Sequence, residues 1–386
     1  MYFIIGVLSF LITHKYILYF IIAFAFFLVF LSFRKKKLIF PSNFNFLMLI
    51  LFGISYILFA SLNNTFNITV LISPILMYFI GVNLFYNKPN EENIIKLSNS
   101  IIFGLVLHAI LNYFTNIDSL NRNVVDIFSK INLAATLQAT FVIMFLSTFF
   151  VNLQKKKLIN KIFIILLCIM CVLFILLIGS RTSLLIFAVI SIYSIVSLIL
   201  SKNENLDDKK RKFKILFSIL VSIVVIIYLY NNNIFNIRQK FESSHLYYRL
   251  TVEKMDTSDK RRFEYQYLGF VSLLTNPFGT SNKIGQANYA HNMWLDIGKD
   301  AGIITFLFLL LYSFFSIKSL IMINKNSNVQ KLFKIYFNSL YLGVFLNFLV
   351  EPILEGIPLY FSFFVLINAL VDMYSIILSK KGCVVK

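Results

Sequence analysis

Apolar runs of roughly bilayer length recur along almost the whole chain, and they restrict its fold more than any motif does. A hydrocarbon core of about 30 Å needs about 17–25 apolar residues in a helix. Runs of this kind occur near 2–13, 16–33, 44–62, 68–86, 94–114, 134–153, 161–179, 182–200, 215–230, 301–319, 334–350 and 358–378. Only 14% of the residues are charged and 59% are hydrophobic. A soluble domain carries about 25% charged residues to cover its surface. The expected fold is therefore all-α, a polytopic membrane bundle of about twelve transmembrane helices. No basic residue precedes the first run and no stretch of small residues follows it, so the first run is expected to be a span and not a cleaved leader.

The formal charge of +19 raises the question of a nucleic-acid partner. The position of the charges argues against one. The clusters RKKK at 34–37, KKK at 155–157, DDKKRKFK at 207–214, NKNSNVQK at 324–331 and SKK at 379–381 all fall on one face of a twelve-span arrangement. That face holds 23 of the 36 Lys and Arg residues. Cytoplasmic loops collect Lys and Arg, so both termini are expected to be cytoplasmic in a multi-pass inner or plasma membrane protein. Membrane topology then accounts for the charge, and no nucleic acid is called for. Cys168 and Cys171 have CxxC spacing, but within FIILLCIMCVLFILL they read as small apolar residues.

This orientation places residues 231–300 outside, between a first unit of nine helices (1–230) and a last unit of three helices with a short tail (301–386). A loop of that length is usually functional or disordered. Its aromatic content argues for a folded external subdomain. Within it, TSDKRRFEYQYLGFVSLLTNPFG reads as a helix capped by Ser258 or Asp259, with Phe263, Tyr267, Phe270 and Leu274 on one face and Asn276-Pro277 as the stop. Lys260, Arg261 and Arg262 would then crowd the first turn, where the helix dipole disfavours cations. Free N–H groups with two guanidinium groups make an anion site. A solvated basic turn balanced by Asp256, Asp259 and Glu264 is the plainer reading.

Arg181 breaks two apolar runs in LLIGSRTSLLIFAV at the expected outer surface, where the positive-inside rule disfavours it. It either snorkels to headgroups or is held in a cavity against an anionic ligand. His291, in YAHNMWLDIG, precedes a helix start. The helix N-terminus and nearby arginines would lower it from about 6.5 and leave the neutral imidazole that a general base needs. The plainer reading is a histidine hydrogen-bonded at a helix start. His108 reads as a packed span residue. No HxxxH, HExxH or suitable acidic pair is present, so neither a metal nor a cofactor is expected. Several arginines with one base suit transfer from a lipid-linked sugar diphosphate. Its leaving group needs charge neutralisation, and the attacking hydroxyl needs a proton acceptor.

Three segments, GSRTSLL at 179–185, RRFEY…NPFG at 261–279 and AHNMWLDIGKDAGII at 290–304, are similar to the O-antigen ligase and polymerase superfamily, which includes capsule repeat-unit polymerases. His291, Asn292, Trp294, Leu295, Asp300 and Gly302 follow the family's His-Asn, aromatic-Leu, acidic and Gly spacing. The likeness covers roughly 165–320. Two glycines frequent in the family are replaced, since FGTSN follows Pro277 and Thr305 follows Gly-Ile-Ile. The resemblance implies a metal-independent, inverting membrane glycosyltransferase acting on an undecaprenyl-diphosphate-linked oligosaccharide. Its partners would be the bilayer and the chain-length regulator and flippase of the same pathway. Carried onto this chain, it gives the diphosphate to Arg181 and Arg262 and the acceptor hydroxyl to His291. Arg249 and Arg261 are further diphosphate candidates. Asn292, Trp294 and Glu351 are candidates for substrate binding, with packing or solvation as the alternative for Trp294 and Glu351, and Glu355 lies beside them in VEPILEGIP.

The same residues serve a polymerase, whose acceptor is another repeat unit, and a ligase, whose acceptor is a lipid core or protein. An exporter or flippase of lipid-linked sugars would spread charge through its helices and repeat its halves. Here charge concentrates in one loop, which favours an enzyme.

Overall fold

The computed structural model describes residues 1–35, 40–41, 43–87, 90–116, 123–130, 132–155, 158–200, 231–233, 237–242, 247, 251 and 255–383. The helices are α1 (Tyr2–Phe10), α2 (Ile17–Lys35), α3 (Phe44–Leu62), α4 (Ile68–Asn87), α5 (Glu91–Thr115), α6 (Ala135–Lys155), α7 (Leu158–Ile178), α8 (Arg181–Ile199), α9 (Ile237–Glu242), α10 (Met255–Thr275), α11 (Met293–Lys325), α12 (Lys331–Val350), α13 (Ile353–Gly356) and α14 (Pro358–Cys383). A two-stranded antiparallel hairpin, β1 (Asn123–Val125) and β2 (Asn132–Ala134), leads into α6 with Val124 opposite Leu133. Among the described residues, nine helices are long and apolar enough to cross a membrane. The protein is an all-α, multi-pass membrane bundle.

The expected twelve is not reached among these residues, for identifiable reasons. The first run forms a helix of only nine residues, and the second contributes the shorter apolar stretch Ile17–Phe30. The run at 215–230 and the basic cluster at 207–214 lie outside the described residues.

Polar residues start the helices where the apolar runs begin. The side chains of Asn43, Asn90 and Ser180 accept from the N–H groups of Phe46, Asn93 and Ser183 and cap α3, α5 and α8. Small residues let the spans approach closely. A Cβ on Gly104 of α5 would stand 2.2 Å from the Gly6 carbonyl oxygen of α1, and one on Gly81 of α4 would stand 2.8 Å from the Leu366 carbonyl of α14.

Two polar networks are buried inside. Asp372 of α14 accepts from Ser319 at 2.5 Å and from Asn43 and Tyr78. One turn away, Asn368 donates to Tyr312 and Ser316, each at 2.8 Å. The other network corrects the reading of His108 as a simple packing residue. Its Nε2 lies 2.8 Å from Asp126 Oδ1 and its Nδ1 lies 2.8 Å from the Phe10 carbonyl, while Thr13 donates to Asp126 Oδ2 at 2.6 Å. His108 and Asp126 are wholly buried. They tie α1 to α5 and to the turn between the two strands.

The hydrogen bonds sort the connections by end. At one end, Glu91 at the start of α5 accepts from Gln330 and Tyr374, near the α11–α12 connection and the C-terminal half of α14. At the other end, the α3–α4 connection, the starts of α6 and α8 and the α12–α14 connection gather around α10 and the first half of α11. The candidate site lies there.

Candidate active site

The site is built where two signature segments interlock. Helix α11 begins at Met293 and is broken at Gly302, whose φ of 78° and ψ of 177° leave the helical region. The expected span therefore begins eight residues earlier than 301. In an unbroken helix the Ile303 N–H would pair with the Lys299 carbonyl. Here Ile303 donates to the Pro277 carbonyl at 2.9 Å, and the Lys299 carbonyl accepts from Thr280 at 2.6 Å. The NPFG turn thus occupies both backbone groups that the kink frees. Asn63 and Thr65, from the α3–α4 connection, each donate to the Asp300 carbonyl at 3.1 Å. A Cβ on Gly302 would stand 2.3 Å from the Pro277 carbonyl oxygen, and one on Gly279 would stand 2.6 Å from that of Asp300. Both glycines also have positive φ, which L side chains rarely adopt.

Helix α10 ends at Thr275, before the expected Asn276-Pro277 stop. Its start differs from expectation. It begins at Met255, ahead of Ser258 and Asp259, so Lys260, Arg261 and Arg262 are clear of the first turn. The free N–H groups of the first turn therefore do not form an anion site with these cations. What orders Arg262 is its partners. Nη1 donates to Thr182 Oγ1 at 3.0 Å and Nη2 pairs with Glu351 Oε1 at 3.4 Å. Glu351 is 3% exposed and also accepts from Thr136 at 3.3 Å. Burial raises its carboxyl above the usual range while the Arg262 charge acts in the opposite direction. One guanidinium therefore joins the loop helix, the start of α8 next to Arg181, and the end of α12.

His291 sits at the N-terminus of α11 with a φ of 56°, a sparsely populated conformation for a non-glycine residue. Its conformation is over-determined by its neighbours. Asp296 accepts from the backbone N–H groups on both sides of it, Ala290 at 2.5 Å and Asn292 at 3.2 Å. Gln266 of α10 donates to the His291 carbonyl at 3.4 Å and to the Leu349 carbonyl at 3.0 Å. Tyr289 stands edge-on to the imidazole, with centroids 5.0 Å apart. Burial, and then the Arg262 charge, lower His291 to about 4. The imidazole is neutral at pH 7, and its Nδ1 is buried with no hydrogen-bond partner among the described residues. Backbone held in such a region concentrates at functional sites and costs about 1–3 kcal/mol.

The other expected residues separate into two groups. Asn292 caps α11, accepting from Trp294 and Leu295 at 3.1 and 3.2 Å, and also donates to Leu349 at 3.4 Å. Trp294 is 8% exposed, donates to Ser313 at 3.0 Å and stacks on Phe345 at 6.2 Å. That environment gives it the packing role weighed as the alternative to sugar stacking. Arg261 is exposed on α10, and Arg181 is the first residue of α8, partly buried. Arg249 lies outside the described residues.

Asp296, Gln266, Thr182 and Thr136 escaped sequence reasoning. Only Asp296 had a local signal, an acid four residues after the capping Asn292. Glu355 is also more than a solvated loop residue, since burial and the charges of Asp296 and Asp300 raise it to about 9. Beside it, Lys299 pairs with Asp300 at 3.0 Å and donates to the Asn288 carbonyl at 2.7 Å.

At one end of a multi-pass helical bundle, an arginine anchored to a buried carboxylate thus stands near a neutral, buried histidine. Residues 163–310 match the family model described as O-antigen ligase. The superfamily resemblance of the three short segments thus extends over this part of the chain and supports an O-antigen ligase-type membrane enzyme. Arg181, Arg262 and His291 fall within the matched residues; Thr136 and Glu351 do not. No curated protein matches the chain.

Proposed function

We propose that the protein is a membrane glycosyltransferase that polymerises undecaprenyl-diphosphate-linked oligosaccharide repeat units into a surface polysaccharide. The reaction takes place on the external face, inverts the anomeric centre and needs no metal. The observation that carries this reading is the position of Arg262, bound to the residue after Arg181 and close enough to His291 to act on its charge. Arg181 and Arg262 hold the donor diphosphate and neutralise the charge that develops as the sugar–phosphate bond breaks. The neutral His291 imidazole accepts the proton of the acceptor hydroxyl as its oxygen bonds to the anomeric carbon. The diphosphate departs with its lipid. Binding that anion next to Arg262 offsets one of the two causes that lower His291, so the base strengthens when the donor is in place.

The basic clusters support cytoplasmic termini, because those within the described residues lie at the end of the bundle opposite the site. Purified protein in lipid, given the lipid-diphosphate repeat unit of its own pathway and EDTA, is expected to extend the glycan, and Arg181→Ala to abolish extension. Transfer of the glycan only when a lipid-core or protein acceptor is added would identify a ligase instead. No transfer to any acceptor would reject the enzymatic reading.

A further inference from the structure

Helix α10 carries two faces of different character. Arg262, Gln266, Gly269 and Leu273 form the face described above. Arg262 reaches α8 and the end of α12, and a Cβ on Gly269 would touch Ala290 at 2.8 Å. Leu273 is buried, in reach of Gly298. One residue further round lies a second stripe with the same spacing: Phe263, Tyr267, Phe270 and Leu274, continued by Phe278. These five are 75%, 68%, 50%, 59% and 63% exposed. The spacing in the sequence marks this face as apolar, yet the described residues leave it exposed. The remaining flank is closed by the 284–285 turn, whose Gly285 stands close to Tyr265 and Leu268.

The course of α10 fixes where the open stripe lies. Its Arg262 end is at the mouths of α8 and α12. Its C-terminal end is at the α3–α4 connection, where Asn63 donates to the Phe278 carbonyl at 2.8 Å. The helix therefore runs across the end of the bundle, transverse to the spans. Phe278 stacks on Phe59 of α3 with centroids 5.6 Å apart. From there the apolar surface continues into the exposed face of α3 at Leu62, Leu58 and Ile54, which are 76%, 57% and 52% exposed. That face belongs to a membrane-spanning helix, so it faces lipid. The open stripe of α10 is an extension of it.

We propose that α10 is an in-plane amphipathic helix, its stripe of Phe263, Tyr267, Phe270, Leu274 and Phe278 seated in the lipid of the leaflet on the site's side. Helices of this kind bury their apolar face about 5–10 Å into the headgroup and acyl boundary. Arg262, on the adjoining face, is thereby held at the depth of lipid phosphates. The insertion rests on the membrane bundle and not on the reaction proposed above. It stands or falls by a physical readout that needs no substrate.

Trp294 is the single tryptophan and is buried, so a reporter can be introduced in a Trp294→Phe background. Tyr267→Trp and Phe270→Trp place it on the stripe, and Glu264→Trp places it on an exposed polar position of the same helix. In phosphatidylcholine vesicles carrying lipids brominated near the carbonyl end, the two stripe reporters are expected to lose about half their emission or more. The Glu264 reporter is expected to be quenched by aqueous iodide. Should Trp294→Phe fail to fold, the same reporters are read as difference emission against the parent protein, whose Trp294 is shielded. Stripe reporters quenched by iodide and untouched by bromolipid would overturn the proposal. Stripe reporters shielded from both quenchers would overturn it too, by showing the stripe covered by protein.

Discussion

Arg262 donates to the hydroxyl of Thr182 across 80 positions of sequence, at 3.0 Å. The same guanidinium pairs with the buried Glu351. An arginine fixed in this way keeps one orientation before any ligand arrives, and preorganised charge is what stabilises a developing anion. It also explains how a loop helix, the start of α8 and the end of α12 act as one site.

Replacing Arg262 separates charge from geometry. Arg262→Lys keeps the cation and loses the fork that reaches Thr182 and Glu351 together. Arg262→Ala is expected to lower kcat/KM for a lipid-diphosphate donor by about 100- to 1,000-fold, the range for loss of one preorganised donor, and Arg262→Lys to recover only part of it. Steady-state kinetics of the purified variants, with folding checked by gel filtration, measure this directly.

Acid pH should reveal His291. Its folded-state value of about 4 lies below the ordinary 6.5, so the imidazole stays neutral through the physiological range and becomes protonated as pH falls through about 4. The kcat/KM profile is expected to lose its base on that acid limb and to show no limb from this group near 6.5. In Arg262→Ala the limb moves up, because a neighbouring cation has gone. It stops short of 6.5, because burial, the larger cause, remains. A limb that stays in place would separate the two residues electrostatically.

Asp296 holds the backbone on both sides of His291 through both of its oxygens, a structural task that the amide isostere, with one accepting oxygen, cannot perform. Asp296→Asn leaves one of the two N–H groups facing an amide nitrogen. A cost of about 1–3 kcal/mol is expected, the penalty for a buried donor left unsatisfied. Thermal unfolding in detergent reads the loss of stability, and hydrogen exchange at Ala290 and Asn292 locates it.

Gly302 tests the interlock of the two signature segments. Gly302→Ala forces a side chain into a φ of 78° and toward an oxygen 2.3 Å away. The variant is expected to be less stable than Thr305→Ala, which removes a local hydrogen bond to the Ala301 carbonyl and leaves the kink intact. Limited proteolysis at 276–280 should quicken in the first variant alone.

Much of this arrangement was legible in one sequence. The spans follow from apolar runs, Arg181 stands out as a cation at the expected outer surface, and Arg262 and His291 fall in the two loop segments that carry the family resemblance. The start of α11 directly after His291 agrees with the reading of NMWLDIG as a helix start, although the apolar run itself begins eight residues later. What was not legible has physical reasons. The kink at Gly302 depends on Pro277, a partner 25 positions earlier. The start of α10 at Met255 carries no cap signal as clear as Ser258 or Asp259, so the sequence pointed to the wrong turn and attached a dipole argument to it. For Trp294 the sequence left sugar stacking and helix packing open together. Ser313 and Phe345, which enclose it, come from two different spans.

The most direct test pairs donor binding with glycan extension for wild type, His291→Ala and Arg262→Ala in lipid at neutral pH. His291→Ala is expected to bind the lipid-diphosphate donor about as tightly as wild type and to extend nothing, while Arg262→Ala loses binding and extension together. Extension by His291→Ala at the wild-type rate would contradict the account, because the neutral buried imidazole would then have no part in the chemistry.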